Sequence, residues 1–278
     1  MFFKFWKKPA IHLYTIVWNE EYMLKYFFKY YDALVDHYVI FDDGSTDKTI
    51  SILEQHPRVE IRPLPRPVDS DSYVLAAQSV HNTCWKESRG RADWVIITAV
   101  DEILYTPNLK TYLDSCAKQG VTAVPALGYQ MISPSLPTAE GNLHEMVKRG
   151  CPWTVMNKLS IFNPNKIAET NQAVGRHDAG PTGKVKYPAT DELLLLHYKY
   201  LSFEATFKRH AELQEKLGSV DKANRWARRY SWSREEFQND WDYFEQNSVE
   251  DVFAASYNPH LQHSPLSERW WRNISTNK

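Results

Sequence analysis

The sequence has few cysteines, no excess of charge of either sign and no long apolar run. Its 278 residues include 3 cysteines, and 33 Lys and Arg nearly balance 34 Asp and Glu. Three cysteines without a C-x-x-C pair predict neither a disulfide framework nor a zinc cluster, and they favour a reducing compartment, the cytoplasm. The balanced charge predicts no nucleic-acid partner, because such proteins usually carry a basic excess. No run approaches the roughly 18–20 apolar residues that span a bilayer.

The composition is otherwise that of a globular protein. Hydrophobic residues make up 43% and charged residues 24% of the chain, which excludes a disordered or fibrous chain. The length allows one large domain or two small ones. Aromatic residues reach 14%, and such side chains suit carbohydrate stacking and membrane interfaces as well as cores.

The first 130 residues alternate apolar runs rich in β-branched residues with amphipathic segments. The pattern predicts strands at 11–17, 37–41, 59–62, 93–98 and 121–132, and helices at 20–35, 48–55, 72–88 and 106–119. This alternation predicts an α/β fold with a mostly parallel sheet flanked by helices.

The second half of the chain reads differently. Residues 133–152 are predicted to form a long loop, and strands are predicted at 158–162 and 193–200. Helices follow at 203–217 and 222–230, and a capping box, Ser233-x-x-Glu236, is predicted to open a helix that ends near 246.

Three polar clusters follow predicted strands, at 18–21, 42–47 and 99–102. Ligands of open α/β sheets bind beyond the carboxyl ends of the strands, so the three clusters are expected at one rim. Mg²⁺ and Mn²⁺ prefer carboxylate ligands, which makes Asp101, with Glu102 beside it, the candidate metal ligand.

The clusters resemble those of a glycosyltransferase of the GT-A fold, similar to family 2 and to its bacterial branch with an Asn-Glu-Glu first loop. The most specific segments are Phe41-Asp-Asp-Gly-Ser-Thr-Asp-Lys-Thr49 and Asp93-Trp-Val-Ile-Ile-Thr-Ala-Val-Asp-Glu-Ile-Leu104. Weaker matches are Asn19-Glu20-Glu21, Gln78, Asn82 and the segments 158–162, 175–177, 196–202 and 207–208. The resemblance covers roughly residues 11–210.

The resemblance implies a Rossmann-like GT-A domain over residues 1–210 and a helical C-terminal extension over 211–278. Within the first domain, residues 1–130 would bind the nucleotide-sugar and 131–210 would form the acceptor and active-site part. The implied reaction moves a sugar from a nucleotide-sugar donor, with a UDP-sugar favoured, to a glycan or lipid-linked acceptor. It would be inverting, assisted by Mn²⁺ or Mg²⁺, and part of cell-surface polysaccharide assembly.

The resemblance also implies the site residues. Those for the nucleotide-sugar are Asn19, Glu20, Glu21, Asp42, Asp43, Gln78, Asn82 and Asp101, and those for the metal are Asp101, Glu102 and His197. Ala99 stands where the family's Asp-x-Asp motif has its first acid, so weaker metal binding or a changed donor is expected.

The general base that would activate an acceptor hydroxyl is predicted among four loop residues. Asp178 is the first choice, and His177, Asp191 and Glu140 are the other candidates, because carboxylates and histidines can accept a proton near pH 7.

Two other functions stay open. Ala99 allows a non-catalytic nucleotide- or glycan-binding module derived from a transferase. A sugar-phosphate nucleotidyltransferase would share the sheet, but it would show a Gly-rich basic loop where this chain has Trp18-Asn-Glu-Glu21.

Two basic-aromatic segments predict peripheral contact with the inner face of a membrane. These are residues 1–8, which mix Phe and Trp with Lys, and Arg225-Trp-Ala-Arg-Arg-Tyr-Ser-Trp232. For the second, the alternative is a helix that packs its tryptophans on the main domain while its arginines face water. The oligomeric state is not predicted.

Overall fold

The computed structural model describes residues 9–273 and contains a β-sheet with helices on both faces. The strands are β1 Ile11–Val17, β2 His37–Asp42, β3 Val59–Pro63, β4 Trp94–Ile97, β5 Glu102–Tyr105, β6 Ala123–Ser133, β7 Gly150–Pro152, β8 Lys158–Phe162 and β9 Leu194–Leu201. The helices are α1 Glu21–Tyr31, α2 Thr49–Glu54, α3 Tyr73–Thr83, α4 Leu109–Lys118, α5 Leu143–Met146, α6 Phe203–Lys216, α7 Ser219–Ala223, α8 Arg234–Gln246 and α9 Pro259–Gln262.

Within residues 9–273 the sheet has nine strands, in the order β3-β2-β1-β4-β8-β6-β9-β5, with β7 paired to β6. This confirms the α/β class. The predicted parallel arrangement holds for β3, β2, β1 and β4. Beyond β4 the sheet is mixed, because β8 runs antiparallel to β4 and β6, while β9 is parallel to β6. The parallel strands place the loops after β1, β2 and β4 at one edge.

Buried strand residues explain why β1 and β4 occupy the centre of the sheet. Leu13 and Ile96 are fully buried in the larger core cluster, and Val95 belongs to the cluster on the opposite face. Continuous apolar runs of this kind are typical of strands covered on both faces. Helix α1 packs Leu24 and Phe27, three residues apart and therefore on one helix face, into the larger cluster.

The predicted loop at 133–152 is wrong in part, because it contains α5 and β7. Both elements are only four and three residues long, too short to show a period in the sequence. The capping box at Ser233 is confirmed. The Ser233 hydroxyl accepts from the Glu236 N–H at 3.2 Å, and the Glu236 carboxylate accepts from the Ser233 N–H at 2.7 Å.

The helix predicted at 222–230 is also wrong. Helix α7 ends at Ala223, and a 3₁₀ turn follows at Arg228–Ser231. Between them Arg225 and Ala227 both adopt a left-handed backbone with φ 54°. Because left-handed residues cannot continue an α-helix, the chain turns here and the basic-aromatic segment is not a continuous helix.

Two aspartates clasp the start of α7 to the start of α3. The Asp221 carboxylate accepts from the Tyr73 N–H at 2.9 Å and from the Ser72 hydroxyl, and Asp71 accepts from the Ser219 N–H at 2.6 Å. Each aspartate therefore satisfies unpaired N–H groups at the N-terminus of the other helix. The clasp fixes residues 218–224 against α3.

The C-terminal segment also packs on the sheet. His263 Nε2 donates to the Gly128 carbonyl at 2.6 Å, and Trp270 Nε1 donates to the Asn157 carbonyl at 3.0 Å. The domain boundary at 210 stays a prediction. Residues 1–8, on which a membrane contact was predicted, lie outside the described residues. Among residues 9–273, no helix combines the length and apolarity needed to cross a bilayer.

Candidate active site

The loops after β1 and β2 are locked together by two of the predicted site residues. Asn19 Oδ1 accepts from the Thr46 N–H at 2.7 Å, and Asn19 itself takes a left-handed backbone with φ 51°. The Glu21 carboxylate accepts from the Lys48 N–H at 3.0 Å. Because these side-chain oxygens accept hydrogen bonds from backbone N–H groups, Asn19 and Glu21 fix the shape of the loops after β1 and β2. These two loops are called the rim loops below.

The two neighbouring aspartates of the second loop have different surroundings. Asp42 accepts from the N–H groups of Gly44 at 2.9 Å and Ser45 at 3.1 Å, which closes a turn in which Gly44 has φ 77°. Asp43 pairs with Arg66, and its Oδ2 lies 3.8 Å from Lys216 Nζ on α6. Asp43 therefore faces α6, and its carboxylate lies between Arg66 and Lys216.

Asp101 follows β4, at the same edge of the sheet. Its Oδ2 is 3.5 Å from His197 Nε2, and its side chain is 25% exposed. Burial opposes ionisation, but the charge and hydrogen bond of His197, with Lys199, lower the pKa of the Asp101 carboxyl below its ordinary value. Asp101 is therefore ionised near neutral pH and open to a ligand.

Buried Gln130 sets the orientation of His197. The Gln130 amide nitrogen donates to the carbonyls of Met131 and His197, both at 3.0 Å, so its Oε1 is left to accept from His197 Nδ1 at 2.7 Å. Whenever the ring is neutral, its proton therefore stays on Nδ1 and Nε2 faces Asp101 as an acceptor. Two acceptor atoms that face each other favour a shared cation, either a proton or a metal ion.

Gln130→Leu is expected to remove the preference of His197 for a proton on Nδ1. The variant removes the acceptor of the Nδ1 proton, so the proton can move to Nε2 and donate to Asp101 instead. Nitrogen NMR of the imidazole, recorded without added metal, should show Nδ1–H in the parent protein and a larger Nε2–H fraction in the variant. The same tautomer in both proteins would show that Gln130 does not orient His197. Gln119→Leu, an exposed change on the surface, serves as the control.

Two cations of α6, which were not predicted from the sequence, contact the rim loops, and the region between these loops and α6 is called the groove below. Arg209 donates to the Glu20 carboxylate at 2.9 Å and to the Trp18 carbonyl at 2.6 Å, and its guanidinium lies 4.8 Å from the centre of the Trp18 ring. Lys216 lies 5.0 Å from the same ring and donates to the Asp43 carbonyl at 2.9 Å. Their spacing of seven residues, two helical turns, is a signal that could have placed them on one face.

Glu20 is the remaining predicted residue of the first loop, and it faces both Arg209 and Asp101. Burial is the largest influence on Glu20 and raises its pKa to about 7, while Arg209 opposes this change and Asp101 adds to it. The groove thus combines three carboxylates, of Glu20, Asp43 and Asp101, with the cations of α6.

The prediction of Glu102 as a metal ligand is corrected by its surroundings. Its Oε1 pairs with Lys158 Nζ at 2.7 Å and its Oε2 pairs with Arg176, and all three side chains are buried. Burial raises the pKa of Glu102, but the two cations outweigh it and hold that pKa well below the ordinary value. Because both oxygens are taken by buried cations, Glu102 supports the site instead of binding metal.

The donor set for a divalent cation is small. Residues 9–273 contain no cluster of three His, Cys, Asp or Glu side chains arranged to hold a metal ion. Asp101 and His197 supply two donors, and Mg²⁺ or Mn²⁺ is commonly held by one or two protein groups together with substrate phosphates and water. Asp101 and His197 therefore fit a divalent cation whose remaining ligands come from a diphosphate and water.

Gln78 and Asn82 brace a loop, and their part in nucleotide binding stays a prediction. Both side-chain amides donate to the Gln172 carbonyl, at 3.2 and 3.0 Å, and Asn82 Oδ1 accepts from the Gln172 N–H at 2.8 Å. These bonds tie α3 to the segment that carries His177 and Asp178.

The first two candidates for the general base lie beside Arg176, which pairs with Glu102. His177 Nδ1 donates to the Val155 carbonyl at 2.7 Å, which leaves Nε2 as an acceptor. Desolvation by the surrounding protein and the charge of Lys158 lower the pKa of His177 to about 4. Asp178 is exposed, and its Oδ1 accepts from the Ala179 N–H at 2.8 Å.

The other two candidates are placed elsewhere. Asp191 is fully buried and pairs with Arg269 at 2.6 Å and Arg272 at 2.5 Å, and it accepts from Trp271 Nε1 at 2.8 Å. Its pKa is lowered by these partners against the effect of burial. A carboxylate held in this way cannot take a proton from an acceptor at pH 7, so the prediction of Asp191 as a base is corrected. Glu140 is exposed on the loop before α5.

Comparison with known families defines the class of this protein as a glycosyltransferase. The chain belongs to glycosyltransferase family 92, whose model matches residues 14–262. The finer resemblance to family 2 and its motif assignments stay predictions. A comparison with curated proteins found no significant match.

Solved structures of S. aureus TarS are among the similar folds. TarS 1–349 in complex with UDP-GlcNAc aligns at 11% identity and a TM-score of 0.36, over 93% of this chain and 82% of that one. TarS 1–349 in complex with UDP aligns at 13% identity and a TM-score of 0.31, over 56% of this chain and 47% of that one. In the second alignment the chain spans about half the length of its relative.

Proposed function

We propose that this family 92 glycosyltransferase binds a nucleotide-sugar donor, with a UDP-sugar favoured, in the groove between the rim loops and α6. The observation that carries the proposal is that the Asp101–His197 pair and the α6 cations border the same region. Arg209 pairs with Glu20, which also faces Asp101, and Lys216 lies 3.8 Å from Asp43. Tyr73 adds an aromatic wall beside Arg66, whose guanidinium lies 5.7 Å from its ring centre.

The reaction we propose is an inverting transfer in which an acceptor hydroxyl attacks the anomeric carbon in line. The bond to the departing nucleoside diphosphate breaks as the new glycosidic bond forms, and the acceptor proton goes to a base. Asp178 and His177 remain the proposed bases, because each has an unspent acceptor atom on the segment next to Glu102.

Stabilisation of the departing diphosphate is the proposed task of the cations around the groove. Arg209, Lys216 and Lys199 would supply positive charge there, and Asp101 with His197 would hold Mn²⁺ or Mg²⁺. A bound divalent cation supplies charge neutralisation for the leaving diphosphate. Preplaced charges of this kind usually contribute most to catalysis. Ala99 stands where the family has an acid, so the metal site has one carboxylate fewer. The α6 cations would offset part of the lost charge stabilisation of the diphosphate.

The acceptor, the pathway and the location are proposed from the sequence. The acceptor is a glycan or lipid-linked glycan used in cell-surface polysaccharide assembly, and the enzyme works at the cytoplasmic face of the membrane. The alternative, a non-catalytic nucleotide-binding module, is favoured by one observation, the two-donor metal site. Hydrolysis of a UDP-sugar by the purified protein separates the two, because a binding module releases no sugar.

Nucleotide binding tests the proposed groove. Ligands that bind only the folded state raise the melting temperature with occupancy, so UDP, GDP, CMP and dTDP are compared with Mn²⁺ and with EDTA. We expect the largest shift with UDP, a loss of most of it in EDTA, and a loss of most of it in Lys216→Ala. Lys208→Ala, on the same helix with its side chain 81% exposed, is the matched control and should keep the full shift. Equal shifts in both variants would place the nucleotide elsewhere.

A further inference from the structure

A cavity lies at the C-terminal end of α6, and none of the residues assigned to the donor groove lines it. Its volume is about 340 Å³, within the range that small-molecule sites occupy. It lies between the end of α6 and the turns that follow α7. Its lining residues are Gln214, Leu217, Lys222, Arg225, Trp226, Ala227, Arg228 and Ser231.

The lining carries three cations and no carboxylate. Lys222, Arg225 and Arg228 are exposed, and their side chains have no hydrogen bond or ion pair within residues 9–273. Most arginines of the same chain do pair with a carboxylate; Arg66 with Asp43 and Arg229 with Asp240 are nearby examples. Three unpaired cations around one cavity leave a positive potential that an anion would neutralise.

The backbone that presents these cations is unusual. Arg225 and Ala227 are both left-handed, a conformation that is unfavourable for residues with a Cβ atom. The conformation is held from both sides. The Trp226 N–H donates to the carbonyl of clasp residue Asp221 at 3.0 Å, and Lys199 donates to the Tyr230 hydroxyl at 2.8 Å. Arg225 and Arg228 therefore line the cavity together with a half-buried tryptophan, Trp226.

We propose that this cavity binds a phosphate or diphosphate group. Arginine guanidinium groups form paired hydrogen bonds with phosphate oxygens, and lysine adds a point charge. Trp226 offers an apolar surface for the group that carries the phosphate. The site is distinct from the donor groove, because no side chain of its lining bonds to Asp43, Asp101 or His197 within the described residues. The phosphate belongs either to a membrane lipid or to a soluble molecule, and the experiment distinguishes the two.

Titration with inorganic pyrophosphate tests the site by calorimetry. Pyrophosphate also fits the donor groove, so the parent protein is compared with Arg225→Glu/Arg228→Glu. We expect this double variant to lose one pyrophosphate site, or to bind there on the order of tenfold more weakly, because charge-assisted hydrogen bonds are lost. Lys110→Glu/Lys184→Glu makes the same change of charge at exposed positions outside the cavity and should bind like the parent.

Vesicle flotation with the full chain identifies the source of the phosphate. If the double variant also loses binding to phosphatidylglycerol vesicles, with phosphatidylcholine vesicles as the baseline, the ligand is a lipid headgroup. If it loses only pyrophosphate binding, the ligand is a soluble phosphate. Arg225→Gln/Arg228→Gln keeps polar side chains and repeats the test should the charge reversal unfold the protein.

The proposal is overturned if both double variants bind pyrophosphate with the stoichiometry and affinity of the parent protein. That result does not depend on the proposed function, because UDP-sugar hydrolysis is measured separately. The arginine variants should hydrolyse the donor at the parent rate, since neither arginine lines the donor groove. If the parent protein does not hydrolyse a UDP-sugar but the double variant still loses one pyrophosphate site, the proposed enzyme activity is refuted and the proposed cavity site stands.

Discussion

Asp101→Asn is expected to lower kcat/KM for the donor by about 10²–10³-fold or more, the range seen when one preplaced charge-stabilising group is removed. The substitution keeps the size of the side chain but removes the negative charge that faces His197. A cation would then have one charged ligand fewer, and His197 would lose its partner. Binding of the nucleotide in Mn²⁺ should weaken in parallel.

The measurement is release of UDP from a UDP-sugar, with and without acceptor. Asp69→Asn is the matched control, because Asp69 is exposed and its side chain has no hydrogen bond or ion pair in the described part of the chain. The control should act like the parent protein. If Asp101→Asn keeps the parent rate, Asp101 is not at the reacting centre and the groove assignment fails.

Glu102→Gln is expected to destabilise the protein by about 3–5 kcal/mol, the usual cost of leaving buried partners without their counter-charge. The variant removes the charge shared by Lys158 and Arg176, both buried. Burial already lowers the pKa of Lys158 to about 8 against the pull of Glu102. Urea denaturation at pH 7 measures the effect, and Glu169→Gln, in an exposed pair with Lys86, should change stability by less than about 1 kcal/mol.

The difference in unfolding free energy between the parent protein and Glu102→Gln should decrease in acid. The pKa of Glu102 is well below its ordinary value in the folded protein, so its contribution is complete above the unfolded pKa of about 4.3. It is lost as the pH falls through the lower, folded pKa. The gap in stability between the parent protein and Glu102→Gln should therefore shrink below about pH 4. A gap that is the same at pH 7 and in strong acid would contradict the buried ion cluster.

The sequence predicted those parts of the site that follow strands directly. Asp43 and Asp101 come after β2 and β4, and strand periodicity is enough to place them at one edge. The prediction of Glu102 as a ligand failed because its partners, Lys158 and Arg176, are 56 and 74 residues away in the chain. No local pattern shows whether a carboxylate meets water, a metal ion or two buried cations.

The α6 cations were missed for a related reason. In the sequence, Arg209 and Lys216 look like solvated charges of an amphipathic helix. Only the packing of α6 on Trp18 directs their side chains towards the groove. The failed helix at 222–230 shows the limit of helical propensity. Residues 225–227 could propagate a helix, but the contacts of Asp221 and Tyr230 hold a turn there instead. Tertiary contacts of this kind leave no periodic signal.

The crystal structure of the protein with UDP and Mn²⁺ is the most direct test of the central claim, that the groove between the rim loops and α6 holds the donor. The account predicts a diphosphate between Asp101 with His197 on one side and Arg209 with Lys216 on the other, and a uridine beside Asp43 and Tyr73. Nucleotide bound elsewhere, with this groove filled only by water, would contradict it.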